Sequence, residues 1–239
     1  MSNSTGSARK VALITGANKG IGFEITRQLG RTGMTVWLSA RNSKQGEASA
    51  AVLRGEGIDV HTRPLDLSKE ETISAAAEWI ASQCGRLDVL VNNAGIVDGE
   101  DGPPSSADLD AVRRVFDVNF FGTLAVTKAM LPLIRKANAG RIVNLSSGLG
   151  SLTLNSDPTS VFASYKMLGY CGSKAAVNMM TVQLAYELRD TAIKVNAVNP
   201  GFTATDMNGH QGSQTVEEGA AAGPKRMRGH ARKQSLASM

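Results

Sequence analysis

The stretch VALITGANKGIG, Val11–Gly22, decides the fold. VALIT has no polar alternation, so it reads as a strand buried on both faces. Gly16, Gly20 and Gly22 follow in a G-x-x-x-G-x-G spacing, and a helical pattern from about Gly20 to Arg31 takes over at once. A strand, a glycine turn and a helix in immediate succession form the opening unit of a parallel α/β sheet.

The same alternation continues along the chain. TVWLS (Thr35–Ser39) is the second strand, followed by a helix over about Lys44–Glu56. IDVHT opens the third strand. The next helix begins at SKEE, where Ser68 and Glu71 have capping-box spacing. LDVLVNNAG holds the fourth strand, a long helix covers about Ala107–Lys136, and RIVNLSS is the fifth strand. A helix over about Phe162–Leu188 and the strand IKVNAVNP complete the series. Apolar strands alternating with helices predict a single α/β domain: a Rossmann-like, doubly wound parallel sheet with helices on both faces. At 239 residues the chain is long enough to bury one such core.

Composition narrows the function classes. An apolar share of 42% against 20% charged residues suits a soluble globular protein, and no apolar run approaches a membrane span. MSNSTGSARK has no apolar secretory segment, so residues 1–9 read as a flexible leader. Cys84 and Cys171 are too few for a disulfide framework, which makes a cytoplasmic location the expectation. His61, His210 and His230 are scattered, and no metal site is expected. The net charge of +5 belongs to the end of the chain. Residues 219–239 carry Lys225, Arg226, Arg228, Arg232 and Lys233 and no acid; without those five, 21 of the 26 basic residues remain, against 21 acidic ones. A neutral body argues against a nucleic-acid or membrane-surface partner, which would need a basic face within the fold.

The loop after the first strand points to a dinucleotide. Its glycines permit a tight turn and close approach of the backbone to a pyrophosphate, and the helix start supplies N–H groups and the positive end of a dipole. Gly16, Asn18, Lys19, Gly20, Ile21 and Gly22 are the candidates to line it. NAD sites commonly place an acid after the second strand for the ribose 2′-OH. This chain has Arg41 there and Lys19 in the loop, which suits a 2′-phosphate and hence NADP(H). Asp66, after the third strand, is placed to touch the adenine amino group or to act as a turn or cap residue.

YCGSK, Tyr170–Lys174, sets a phenol and an ammonium one helical turn apart on one face. A free phenol ionises near pH ~10, and a neighbouring cation lowers that value, so the pair is either a tuned general acid/base or an ordinary surface neighbour.

Taken together, TGANKGIG (15–22), NNAG (92–95), Asn119 in DVNFFG, IVNLSS (142–147), YCGSK (170–174) and NPGFTATDM (199–207) resemble the short-chain dehydrogenase/reductase family in both content and order, over residues 11–207. The branch they resemble most is the NADPH-dependent carbonyl reductases. The resemblance implies that Tyr170 is the general acid, that Lys174 lowers its pKa and holds the nicotinamide ribose, and that Ser147 orients the carbonyl, with Ser146 as the fallback. It implies that Asn119 helps hold a water that relays protons to Lys174. Asn93, Ala94 and Gly95 would line the adenosine and ribose side, and Pro200, Gly201, Thr203 and Thr205 would frame the nicotinamide. The implied function is reversible reduction of a ketone or aldehyde to an alcohol.

Two features depart from the family pattern. Ser147 and Tyr170 stand 23 positions apart, and the enlarged stretch resembles segments that cover the dimer-forming helix of monomeric carbonyl reductases. A monomer is therefore expected. After Thr215–Ala222, which opens as a helix with a Thr215–Glu218 capping box, the chain turns to GPKRMRGHARKQSLASM. Gly-Pro opposes continuation of the helix, and the run has no strand pattern. The domain is expected to span residues 10–222 and to lack the family's seventh, edge strand, with residues 223–239 a disordered basic tail. A reading-frame shift or truncation would produce such a break, and a variable tail is the alternative. A same-fold cofactor-binding protein with weak catalysis is the second functional reading, because of that end.

Overall fold

The computed structural model describes residues 9–221. The expectations for the leader and for the tail 223–239 fall outside the described residues, apart from Arg9. Six parallel strands form one sheet: β1 Val11–Ile14, β2 Thr35–Ala40, β3 Val60–Pro64, β4 Val89–Asn92, β5 Arg141–Leu145 and β6 Lys194–Val198. Their order is β3-β2-β1-β4-β5-β6, so the chain reverses direction across the sheet between β1 and β4. Among the described residues, β6 pairs with β5 alone and the sheet has six strands rather than seven.

The helices are α1 Gly20–Gly30, α2 Ser43–Gly55, α3 Glu70–Cys84, α4 Leu109–Phe116, α5 Thr123–Ile134, α6 Leu152–Ser156 and α7 Leu168–Glu187. Period-two alternation divides every strand but the edge strand β3 between two cores. Leu13, Leu90 and Ile142 face one core with Ile80, Met130 and Ile134. Ile14, Val91 and Val143 face the other with Ile25, Leu29 and Leu53. Burial on both faces explains why the strands read as unbroken apolar runs. No helix among the described residues is long and apolar enough to cross a membrane.

The long helix expected over 107–136 is interrupted by a π-helical segment, Asp117–Gly122, which carries Asn119. The helix expected from Phe162 starts instead at Leu168. Val161–Ser164 makes its own 3-10 turn, with the Ser160 side chain accepting from the Phe162 amide at 3.2 Å, and the Phe162 ring packs against Gly148. The Ser68–Glu71 capping box does not form, because the Ser68 hydroxyl donates to Asp66 at 2.7 Å and the helix begins two residues later. The Thr215–Glu218 box does form: the Thr215 amide donates to the Glu218 carboxylate at 2.9 Å, and the Glu218 amide to the Thr215 hydroxyl at 3.3 Å. The segment 152–168 folds back on the 3-10 turn Gly148–Gly150. It leaves an apolar groove between α5 and α7 uncovered, with Met179 and Tyr186 exposed.

Candidate active site

A cleft of about 840 Å³ opens at the carboxyl ends of the strands, beside the crossing from β1 to β4. Loops after all six strands line it. Every residue expected to hold the cofactor lies on its wall except Gly201 and Thr203. Gly201 instead turns, at φ +79°, against Gln214. Thr203 is buried, donates to the Pro200 carbonyl at 3.2 Å and packs on Gly219. Both brace the segment after β6 from behind.

The glycine loop is held against the loop after β4 by a residue the sequence reading passed over. Thr15 Oγ1 accepts from the Asn93 and Ala94 amides at 3.0 Å each, and Asn93 Nδ2 donates to the carbonyls of Thr15 at 2.8 Å and Gly16 at 3.0 Å. Gly16 has φ +61°, and a Cβ there would lie 2.9 Å from Ala94 Cα. No other residue type meets both conditions without strain. Arg41 is exposed on the wall with no acid beside it in sequence, and its charge is among the influences on Asp66. Burial pushes the Asp66 carboxyl up, but hydrogen bonds from Ser68 and the charges of Arg41 and Lys69 bring it below its usual value. Asp66 accepts from both the amide and the hydroxyl of Ser68, so it serves as a turn residue while lining the cleft. Lys19 is engaged: its ammonium meets Asp206 at 2.6 Å.

At the inner end of the cleft, α7 presents Tyr170 and Lys174 on one face. The Lys174 ammonium lies 5.6 Å from the Tyr170 ring centroid and donates to the Leu145 carbonyl at 2.8 Å. The Tyr170 hydroxyl shares a hydrogen bond with Ser147. Ser146, which lines the cleft, donates to Asn178 at 2.6 Å.

The electrostatics correct one expectation. Burial pushes the Tyr170 phenol up to about 12, and the Ser147 hydrogen bond only partly opposes this. Lys174 does not bring it down. Its own ammonium, buried with it, is pushed down to about 8. Desolvation penalises both charged forms, and among protein groups alone it outweighs the attraction between them.

Asn119 is buried near this pair. Its Oδ1 accepts from the Ile96 amide at 2.8 Å, and its Nδ2 donates to the Ile96 carbonyl at 2.9 Å and the Ser173 hydroxyl at 3.2 Å. It clamps the loop after β4 to α7 in the turn next to Lys174.

The short chain dehydrogenase family model matches residues 10–215. The chain belongs to this oxidoreductase family. It is 37% identical over 218 residues to the short-chain dehydrogenase anuI of Penicillium roqueforti, covering 89% of this chain and 86% of that one. It is 34% identical over 251 residues to carbonyl reductase [NADPH] 1 of Mus musculus, covering 90% and 89%. The solved structure of salutaridine reductase from Papaver somniferum superposes with a TM-score of 0.81 at 28% identity, over 93% of this chain and 96% of that one.

Proposed function

We propose that the protein is an NADPH-dependent reductase of ketones or aldehydes, reversible toward alcohols. The observation that carries this reading is the Tyr170–Ser147 hydrogen bond at the inner end of a glycine-walled cleft, with Lys174 beneath the tyrosine ring. The residues present fit a dinucleotide. The positive-φ turns at Gly16 and Gly20 bring bare backbone to the cleft, and the wall after β2 carries Arg41 in place of an acid. The glycine loop would hold the pyrophosphate, Arg41 the 2′-phosphate, and Asn93–Gly95 the ribose side. Support for NADPH over NADH also comes from the name of the murine relative.

When bound, a reduced nicotinamide supplies the hydride. The chain's own residues do the rest. Ser147 and Tyr170 direct hydroxyls at the carbonyl oxygen and stabilise the charge that develops there, as an oxyanion hole does. Tyr170 gives up its proton to that oxygen. Burial keeps the phenol protonated through the neutral range, the state an acid needs for reduction. In the alcohol-oxidising direction the same group must first lose its proton, so oxidation is favoured at alkaline pH. Lys174, with its ammonium anchored on Leu145 and 5.6 Å from the Tyr170 ring centroid, would hold the nicotinamide ribose. The substrate reading is a small carbonyl or secondary alcohol, and the cysteines Cys84 and Cys171, both unpaired, suit the cytoplasm.

A panel of aldehydes and ketones with NADPH oxidation as readout tests the proposal. Turnover of at least one, abolished in Tyr170→Phe, is the expected result. Binding of NADPH with no turnover across the panel would favour the cofactor-binding reading instead.

A further inference from the structure

The first turn of α7 carries Tyr170, yet the helix has no local cap: Met167 stands at the N-cap position and offers no side-chain acceptor. The leading amides of a helix need acceptors from outside it. Here they come from a loop some 68 residues earlier in the chain. The Leu168 amide donates to the Gly102 carbonyl at 3.0 Å, the Gly169 amide to Asp101 Oδ1 at 2.9 Å and the Tyr170 amide to Asp101 Oδ2 at 2.8 Å. Both oxygens of one carboxylate are therefore spent on two successive amides, the second being that of Tyr170 itself. Gly169 permits the approach, since a Cβ there would lie 3.1 Å from both Asp101 Oδ2 and Val112 Cα.

The loop that presents Asp101 is itself fixed. The Arg114 guanidinium spans Asp98 at 2.9 Å and Glu100 at 2.8 Å, and the Asp101 amide donates to the Asp98 carbonyl at 3.1 Å. Asn93–Gly95 lie just upstream, so one loop touches the cleft wall and also sets the start of the helix bearing the phenol.

We infer that Asp101 is a positioning residue for Tyr170, fixing the first turn of α7 and with it the point where the phenol hydroxyl meets Ser147. The inference rests on the reading of Tyr170 as proton donor. Charge-assisted hydrogen bonds to backbone amides are among the stronger caps, and a misplacement of about 1 Å at a reacting group costs ~100-fold in rate.

The test compares Asp101→Ala and Asp101→Asn with the wild type, with Tyr170→Phe and Ser147→Ala as references. Asp101→Ala is expected to lower kcat by ~10-fold or more while KM for NADPH stays within about two-fold. Asp101→Asn keeps one acceptor oxygen but sets an amide NH2 against a backbone N–H, so an intermediate kcat is expected. NMR of tyrosine labelled at Cζ gives a readout independent of activity. In Asp101→Ala the Tyr170 resonance should move toward its position in Ser147→Ala, while Tyr186, at the far end of the same helix, stays fixed. A Tyr170 resonance and a kcat both unchanged in Asp101→Ala overturn the inference. If Asp101→Ala fails to fold, Asp101→Asn decides: a Tyr170 shift with Tyr186 fixed supports the cap, and wild-type behaviour in both measurements overturns it. Turnover surviving in Tyr170→Phe sinks the proton-donor reading separately, and without any turnover the NMR comparison still decides the cap.

Discussion

Lys19 and Asp206 meet at 2.6 Å across the mouth of the cleft, although 187 residues separate them. Lys19 belongs to the glycine loop after β1. Asp206 opens the 3-10 turn Asp206–Asn208 after β6, and its other oxygen lies 2.9 Å from His210 Nε2. The Lys19 ammonium, then His210, hold the Asp206 carboxyl below its usual range. The cation expected to serve a phosphate therefore already has a carboxylate partner.

Asp206→Asn should release that cation. Both groups are largely exposed, so the effect is modest: KM for NADPH is expected to fall by about two- to five-fold at low ionic strength, and the difference should shrink as salt is added. Initial rates at two salt concentrations measure it. A rise in KM would show that the pair closes the cleft rather than competing for the lysine.

Arg41→Ala should raise KM for NADPH by ~10-fold or more, the scale of one charge-assisted hydrogen bond to phosphate, and leave KM for NADH nearly unchanged. Parallel titrations with the two cofactors check this. Equal use of both by the wild type would remove the 2′-phosphate assignment.

Tyr170→Phe keeps the ring packing and removes the proton donor. Carbonyl reduction should fall by ~100- to 10,000-fold, while NADPH binding, followed by fluorescence, persists. Ser147→Ala should cost ~100-fold through loss of one hydroxyl aimed at the oxygen, and Ser146→Ala much less, since Ser146 points to Asn178.

Lys174→Met should uncouple stability from activity. Burial lowers Lys174 from the usual 10.5 to about 8, so the folded chain binds this proton less readily than the unfolded one. The favourable contribution is present above pH 10.5 and is lost as pH falls through about 8. Tyr170, raised from 10.0 to about 12, has the opposite sign: its contribution is present below pH 10 and lost as pH rises through about 12. In the absence of cofactor, Lys174→Met should therefore melt several degrees above wild type at neutral pH, with the gap closing between pH 8 and 10.5, while turnover is lost. Melting curves across that range test it. A constant gap would mean that the lysine is not held near pH 8 by burial.

The architecture was legible in the sequence because its signals lie within single elements. Strands buried on both faces show as unbroken apolar runs, the glycine turn needs its residues within one loop, and Tyr170 and Lys174 share a face because both lie in α7. Among the described residues the sheet has the six strands that the sequence marks. What tertiary structure alone decided depends on partners far apart in the chain. Asp101 reaches α7 from the loop after β4, and with that cap the helix begins at Leu168 rather than Phe162. Asp206 claims Lys19, and Gln214 and Gly219 draw Gly201 and Thr203 off the cleft wall. Asn119 closes on Ile96 from a π-helical turn that no periodicity announces. The direction of the Tyr170 shift belongs to the same class. Spacing along a helix shows that a cation is near, but only the packed fold shows how much water both groups have lost, and here that loss outweighs the attraction.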